Sequence, residues 1–190
     1  MNKSLNQAVL DVLEKNEPGL LLDIPAGDSP VTNRAEQLGY QVVGVELFPP
    51  KGFRGVQADA CARLPFADDS FQTLVSMEGI EHFENQAGFL RECARVLKPG
   101  GLMILTTPNV MHLSARVSGF LTAQRAMKRG FINEDQTLRG REGERTYHGH
   151  AFLIDAIRLR YLMAIEGLKL KEIRRGKLSH GSLPMSPERD

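Results

Sequence analysis

Two hydrophobic patterns take turns along this chain: apolar residues at helical spacing, and short unbroken apolar runs. Leu5, Val9, Val12 and Leu13 recur at helical spacing and predict an opening helix over residues 3–16, ended by Asn16-Glu17-Pro18-Gly19. Leu20-Leu21-Leu22-Asp23-Ile24 reads as a buried strand. Ser29 before Pro30 supplies a capping hydroxyl and a proline at the first helical position, and Gly39 supplies a stop, so a short helix is expected between them. Further strands are expected at Gln41-Val42-Val43-Gly44-Val45, closing on Glu46, at 55–58 before Asp59, and at 73–76.

Over 85–97, Phe89, Leu90, Cys93, Ala94 and Leu97 line one helical face, and Lys98-Pro99-Gly100-Gly101 breaks the helix. A fifth strand is predicted at 102–105 and a helix over 113–127. A polar, Gly- and Arg-rich loop is expected over 129–149, followed by a last helix over 153–166 and a sixth strand at 168–173. Alternation of this kind predicts an α/β fold, a parallel sheet with helices on both faces.

The length of 190 residues and mass of 21.1 kDa fit one domain over 1–190. Hydrophobic residues at 42% and charged residues at 25% exclude a disordered or coiled-coil chain. Lys+Arg 24 against Asp+Glu 23 leaves a net charge of +1, which lacks the positive field a nucleic-acid partner requires, and none is expected. Cys61 and Cys93 form no C-x-x-C pair, so neither a disulfide framework nor a structural zinc is indicated and a cytoplasmic location is expected. No apolar run approaches the length of a membrane span.

In an open parallel sheet, ligands bind beyond the carboxyl ends of the strands. Those ends carry Asp23 and Pro25-Ala26-Gly27-Asp28-Ser29, then Glu46, Asp59, Glu78 to His82, and Thr107-Pro108-Asn109. Gly27 lets backbone approach a ligand with no side chain in the way. Glu46 follows it by nineteen residues, near the spacing at which dinucleotide folds place the acid that accepts from ribose hydroxyls. Asp59 is placed to accept from an adenine amino group. The row suits a nucleoside.

These segments, in this order, resemble the class I S-adenosylmethionine-dependent methyltransferases over roughly residues 20–173. Leu21-Leu22-Asp23-Ile24-Pro25-Ala26-Gly27-Asp28-Ser29 resembles the first motif, with Glu46 and Asp59 as the two later acids. Phe71 through Phe83 resembles the fourth-strand segment, and Phe89 through Gly101 the helix and turn before strand five. The resemblance implies a Rossmann-like, doubly wound, mostly parallel sheet and S-adenosylmethionine as cofactor. It implies that Asp23, Pro25, Ala26 and Gly27 hold the methionine end, Glu46 the ribose, and Asp59 with Ala60 the adenine, with Met77 and Glu78 also on the cofactor side. Pro25 and Ser29 stand where the family often has glycine, which stiffens the loop and removes one N–H donor.

His82 is the candidate catalytic base, at the strand-four end where the family exposes its acceptor; local hydrogen bonding is the plainer reading of the same residue. Glu81, Asn109, Tyr147, His148 and His150 are candidate acceptor contacts, although Glu78 and Glu81 also suit a solvated helix start. His148-x-His150 has no Cys or acid at ligand spacing, so no metal site is expected. Arg125, Lys128, Arg129, Arg139, Arg141 and Arg145 concentrate positive charge in an expected substrate cap over 110–150, which points to an anionic acceptor. Thr107-Pro108-Asn109-Val110 and the helix after it resemble a subgroup found beside cell-surface polysaccharide enzymes. The resemblance thus implies methyl transfer to a small-molecule or lipid-linked sugar acceptor in polysaccharide biosynthesis.

Two other readings compete with it. The altered glycine loop is compatible with a non-catalytic cofactor-binding or scaffold protein. A nicotinamide-dependent dehydrogenase is disfavoured, because the loop lacks a full Gly-x-Gly-x-x-Gly. Six strands are countable where the family has seven, and residues 175–190 read as a tail without a convincing strand. That predicts either a longer protein, with room in the rest for a membrane segment, or an exposed sheet edge covered by another chain, a homodimer included.

Overall fold

A computed structural model of the chain describes residues 3–27, 29–49, 53–122, 137–139, 145–147, 150–174 and 182–189. The predicted strands form β1 (Leu20–Asp23), β2 (Gln41–Glu46), β3 (Gly55–Gln57), β4 (Phe71–Met77) and β5 (Leu97–Pro108), all parallel. The helices are α1 (Lys3–Leu13), α2 (Pro30–Gln37), α3 (Gln86–Val96), α4 (Leu113–Thr122) and α5 (Ala156–Ile165), with one 3-10 turn at Ile80–His82. β6 (Thr137–Arg139) and β7 (Arg145–Tyr147) pair as a small hairpin, and β8 (Leu168–Ile173) and β9 (Ser182–Arg189) complete the main sheet.

The Ser29 cap acts as the sequence predicts, and Asn85 and Asp155 cap two further helices. Ser29 Oγ accepts from the Val31 N–H at 3.2 Å, Asn85 Oδ1 from Gly88 at 2.9 Å, and Asp155 Oδ1 from Ile157 and Arg158 at 2.9 Å each. Each cap satisfies an amide that the helix itself leaves without a partner.

The sheet order is β3-β2-β1-β4-β5-β9-β8. Because successive side chains of a strand point to opposite faces, the central runs feed two cores. Leu21, Val75, Leu102 and Ile104 pack with Val9 and Leu13 of α1 and Val31 and Ala35 of α2. Leu22, Leu74, Met103 and Leu105 pack on the other face with Phe89, Leu90 and Cys93 of α3 and Leu159 and Met163 of α5. Full burial of one such leucine contributes roughly 1.5–3 kcal/mol, so unbroken apolar runs are what a sheet covered on both faces requires.

Two strands differ from expectation. β5 begins at Leu97, not at 102: Phe71 pairs with Leu97 and Thr73 with Leu102, so the predicted break at Lys98–Gly101 is a bulge inside the strand, with Gly100 at φ +74. The seventh strand lies within the segment read as a tail. β9 runs antiparallel between β5 and β8, with Pro184 opposite Thr106 and Pro187 opposite Leu170. Prolines cannot donate to a ladder, so two of them in an interior strand hide it from a pattern reading; the β8 register shifts between Leu170 and Glu172, beside Pro187.

Within the predicted 129–149 loop the described part is the β6–β7 hairpin; His148 lies outside the described residues. Among the described residues no helix is long and apolar enough to cross a membrane.

Candidate active site

The strand order turns at β1, whose neighbours are β2 on one side and β4 on the other, and the crevice of such a sheet opens at that point. Asp23 ends β1 with only 2% of its surface exposed. The Thr32 hydroxyl donates to Asp23 Oδ2 from the first turns of α2. Burial pushes the Asp23 carboxyl up to about 7; the Thr32 hydrogen bond opposes the shift and the Glu46 charge adds to it.

The loop that follows is stitched to β2. Ala26 N–H donates to Val45 O at 2.9 Å, and Gly27 N–H donates to Glu46 Oε1 at 2.5 Å. Gly27 sits at φ +50, a conformation that favours glycine. The Ile24–Pro25 bond is cis, and the Pro25 ring lies against Gly79: a Cβ at Gly79 would stand 2.4 Å from Pro25 Cδ. The two glycines thus join the first loop to its neighbours on both sides. At the β3 end, Asp59 is exposed and its Oδ1 accepts from Cys61 N–H at 2.8 Å, while Ala60 is buried.

Met77 is buried at the end of β4. Glu78 follows at φ +49, and its N–H donates to both the carbonyl and the hydroxyl oxygen of Thr106 at 3.0 Å. The Thr106 hydroxyl in turn donates to Glu78 Oε1 at 3.3 Å, so Glu78 is tied to β5 and does not begin a solvated helix.

Beyond Glu78 lies a second polar cluster. Glu81 is fully buried, its Oε2 accepting from the Thr107 hydroxyl at 3.1 Å. His150 Nε2 stands 3.9 Å from Glu81 Oε1, and the His82 and His150 rings meet edge to face at 5.3 Å. The segment carrying His150 is held down by main chain: Phe152 N–H donates to Glu81 O at 3.0 Å, and buried Gln86 donates through Nε2 to Ile80 O at 3.0 Å and Phe152 O at 2.5 Å.

The sequence-predicted residues therefore fall into two groups. Asp23, Pro25, Ala26, Gly27 and Glu46 meet at the β1 and β2 ends, with Glu78 just past the end of neighbouring β4. Glu81, His82 and His150 meet beyond β4. Asn109 serves its own turn, with Oδ1 accepting from Met111 N–H at 3.0 Å and its carbonyl from His112 N–H at 3.1 Å. Tyr147 is described only as backbone in β7, and His148 lies outside the described residues. Sequence reasoning missed Thr32, Gln86 and Thr106, and named Thr107 at the strand-five end without giving it a role. The threonine pair had a readable signal, two hydroxyls closing an otherwise apolar run.

The first group suits S-adenosylmethionine. Gly27 presents bare backbone, Asp23 a carboxylate for an ammonium, and Glu46, with Oε1 engaged by Gly27, keeps acceptor capacity for ribose hydroxyls.

Residues 22–105 match the methyltransferase-domain family. The chain is 50% identical over 53 residues to a protein of Mycobacterium tuberculosis described as a probable S-adenosylmethionine-dependent methyltransferase, across 28% of this chain and 19% of that protein. It is 35% identical over 101 residues to the ubiquinone biosynthesis O-methyltransferase of a Bradyrhizobium species, across 47% of this chain and 40% of that protein. The matched segment thus spans well under two thirds of either relative. The Burkholderia thailandensis 1,6-didemethyltoxoflavin-N1-methyltransferase, solved with S-adenosylhomocysteine bound, superposes with a TM-score of 0.65 at 14% identity, over 98% of this chain and 77% of that one. Over the segment from β1 into β5 the chain is thus similar to the methyltransferase-domain family, and its fold is similar to that of S-adenosylmethionine-dependent methyltransferases.

Proposed function

We propose that this domain transfers the methyl group of S-adenosylmethionine to an oxygen of a small acceptor that carries an apolar part, a lipid-linked sugar being the fitting class. The sulfonium of the cofactor makes its methyl carbon electrophilic; the protein's task is to align the acceptor and keep water out. Asp23 and the Pro25–Gly27 backbone take the methionine end, Glu46 the ribose and Asp59 with Ala60 the adenine. His82, beyond Glu78, faces the acceptor side and takes part in removing its proton.

The observation that carries the acceptor class is the exposed apolar face that follows β5. Leu113, Val117, Phe120 and Leu121 share one side of α4 at 50–90% exposure, with Met111 just before it. Exposed apolar rows of this extent mark binding surfaces. Support for an anionic acceptor comes from the β6–β7 hairpin, where Arg139 and Arg145 are register partners.

Calorimetry with S-adenosylmethionine, S-adenosylhomocysteine and NAD tests the cofactor half of the reading. The first two should bind and NAD should not; failure of both sulfur compounds overturns it. Incubation with methyl-labelled cofactor and cell extracts tests the acceptor half, with label expected in the lipid-extractable fraction and its confinement to water-soluble products counting against an apolar acceptor.

A further inference from the structure

Glu81, His82 and His150 bring one carboxylate and two imidazoles together so that one ligating atom from each lies within 4.8 Å of the others. Sequence spacing hides this group, because His150 has no acid near it along the chain; the fold supplies Glu81 and His82 from the turn after β4. We propose that these three side chains bind one divalent first-row transition-metal ion just past the end of β4.

The geometry favours an ion over a plain ion pair. The 3.9 Å between His150 Nε2 and Glu81 Oε1 is too long for a hydrogen bond. Two atoms bonded to one tetrahedral zinc at about 2.0–2.1 Å stand roughly 3.4 Å apart, so closing the group requires side-chain adjustments of about an ångström or less. The supports expected around metal ligands are also present. The Thr107 hydroxyl fixes one oxygen of Glu81 and leaves the other turned toward His150. Gln86 and the Phe152 amide pin the segment that carries His150.

Two imidazoles and one carboxylate suit zinc, iron, manganese or cobalt better than magnesium or calcium, which take oxygen ligands. Three protein ligands leave coordination positions open for an acceptor oxygen. The site's role, though not its existence, rests on the methyl-transfer reading. The acceptor hydroxyl on the ion loses its proton to solvent more readily, and the methyl group passes from sulfur to that oxygen, leaving S-adenosylhomocysteine and the methyl ether. His82 then serves as a ligand that assists proton loss and does not itself take the proton.

The test uses the tag-free 190-residue chain, stripped with chelator and titrated calorimetrically with Zn²⁺ and separately with Mg²⁺. One equivalent of Zn²⁺ should bind at least 100-fold more tightly than Mg²⁺, and Co²⁺ should give visible absorption of a nitrogen- and oxygen-ligated ion. His150→Ala and His82→Ala should each weaken Zn²⁺ by tenfold or more, and Thr107→Val by less. Both histidines are only partly buried, so these variants keep the fold, as S-adenosylhomocysteine binding and thermal melting of the metal-free proteins verify. Absence of stoichiometric Zn²⁺ binding, or binding that neither histidine variant weakens, overturns the site. Loss of S-adenosylhomocysteine binding by the parent chain would instead strike the methyl-transfer reading and leave the metal result standing.

Discussion

The two polar groups at the carboxyl ends of the strands are built in different ways. On the β1–β2 side, the partners are near in sequence or on adjoining strands: Thr32 holds Asp23 nine residues away, and Glu46 holds the Gly27 amide nineteen residues away. On the far side of β4, Gln86 reaches Phe152 across 66 residues, and His150 reaches Glu81 from a segment that precedes α5. The first group is a property of a local motif, and the second exists only once the sheet is assembled. Damage should therefore separate them.

The largest effect is expected where the two sides touch. A side chain at Gly79 meets the Pro25 ring at 2.4 Å, and neither the proline ring nor the tight turn can yield. Gly79→Val should cost about 1–3 kcal/mol of stability through overpacking and weaken both groups together. Chemical denaturation with calorimetric cofactor binding checks it; unchanged S-adenosylhomocysteine affinity would show the two loops to be independent.

Glu46→Gln should act on the first group alone. It replaces the charged acceptor for the ribose by a neutral one while the glutamine oxygen still accepts from Gly27, a loss of about 1.5–3 kcal/mol in binding, so cofactor affinity should fall roughly 10- to 100-fold. Thermal stability should hold or rise slightly, since the Glu46 charge adds to the cost of ionising Asp23.

The same contrast explains what was readable in the sequence. Asp23, Gly27 and Glu46 follow from strand periodicity and a fixed spacing, and the fold brings them together. Glu81 reads equally well as an exposed acid in a first turn, and its full burial depends on Thr107 and the 150–152 segment, whose distances no local pattern encodes. β9 was illegible for another reason: Pro184 and Pro187 contradict interior-strand chemistry, and only the position between β5 and β8 gives that segment its pairing.

Asp23 supplies a pH test of the first group. Its carboxyl titrates near 7 in the folded chain against 3.8 ordinarily, so between those values the folded state holds a proton that the unfolded state has lost. Stability should accordingly be highest below about pH 4 for this group and decline as pH rises toward 7, flattening above it. Asp23→Asn should remove that slope. Affinity for the cationic methionine end should move the opposite way, weakening about fivefold from pH 7 to pH 6 as the carboxylate protonates. Calorimetry of S-adenosylmethionine across pH 6–8 measures it, and a flat profile would mean that Asp23 does not meet the ammonium.

The smallest effect on the protein itself is expected on α4. Phe120 is 90% exposed, so Phe120→Ser removes almost no packing and should change stability by no more than about 0.5 kcal/mol. Cofactor affinity should also stay as it was. What should change is the apolar surface: binding of anilinonaphthalene sulfonate should fall, and so should methyl incorporation into lipid-extractable products, with water-soluble acceptors unaffected. A loss of incorporation that is equal for both acceptor classes would assign α4 to holding the fold of the acceptor side. Loss confined to lipid acceptors would make this helix face the element that selects them, leaving the Glu81–His82–His150 cluster to serve the oxygen.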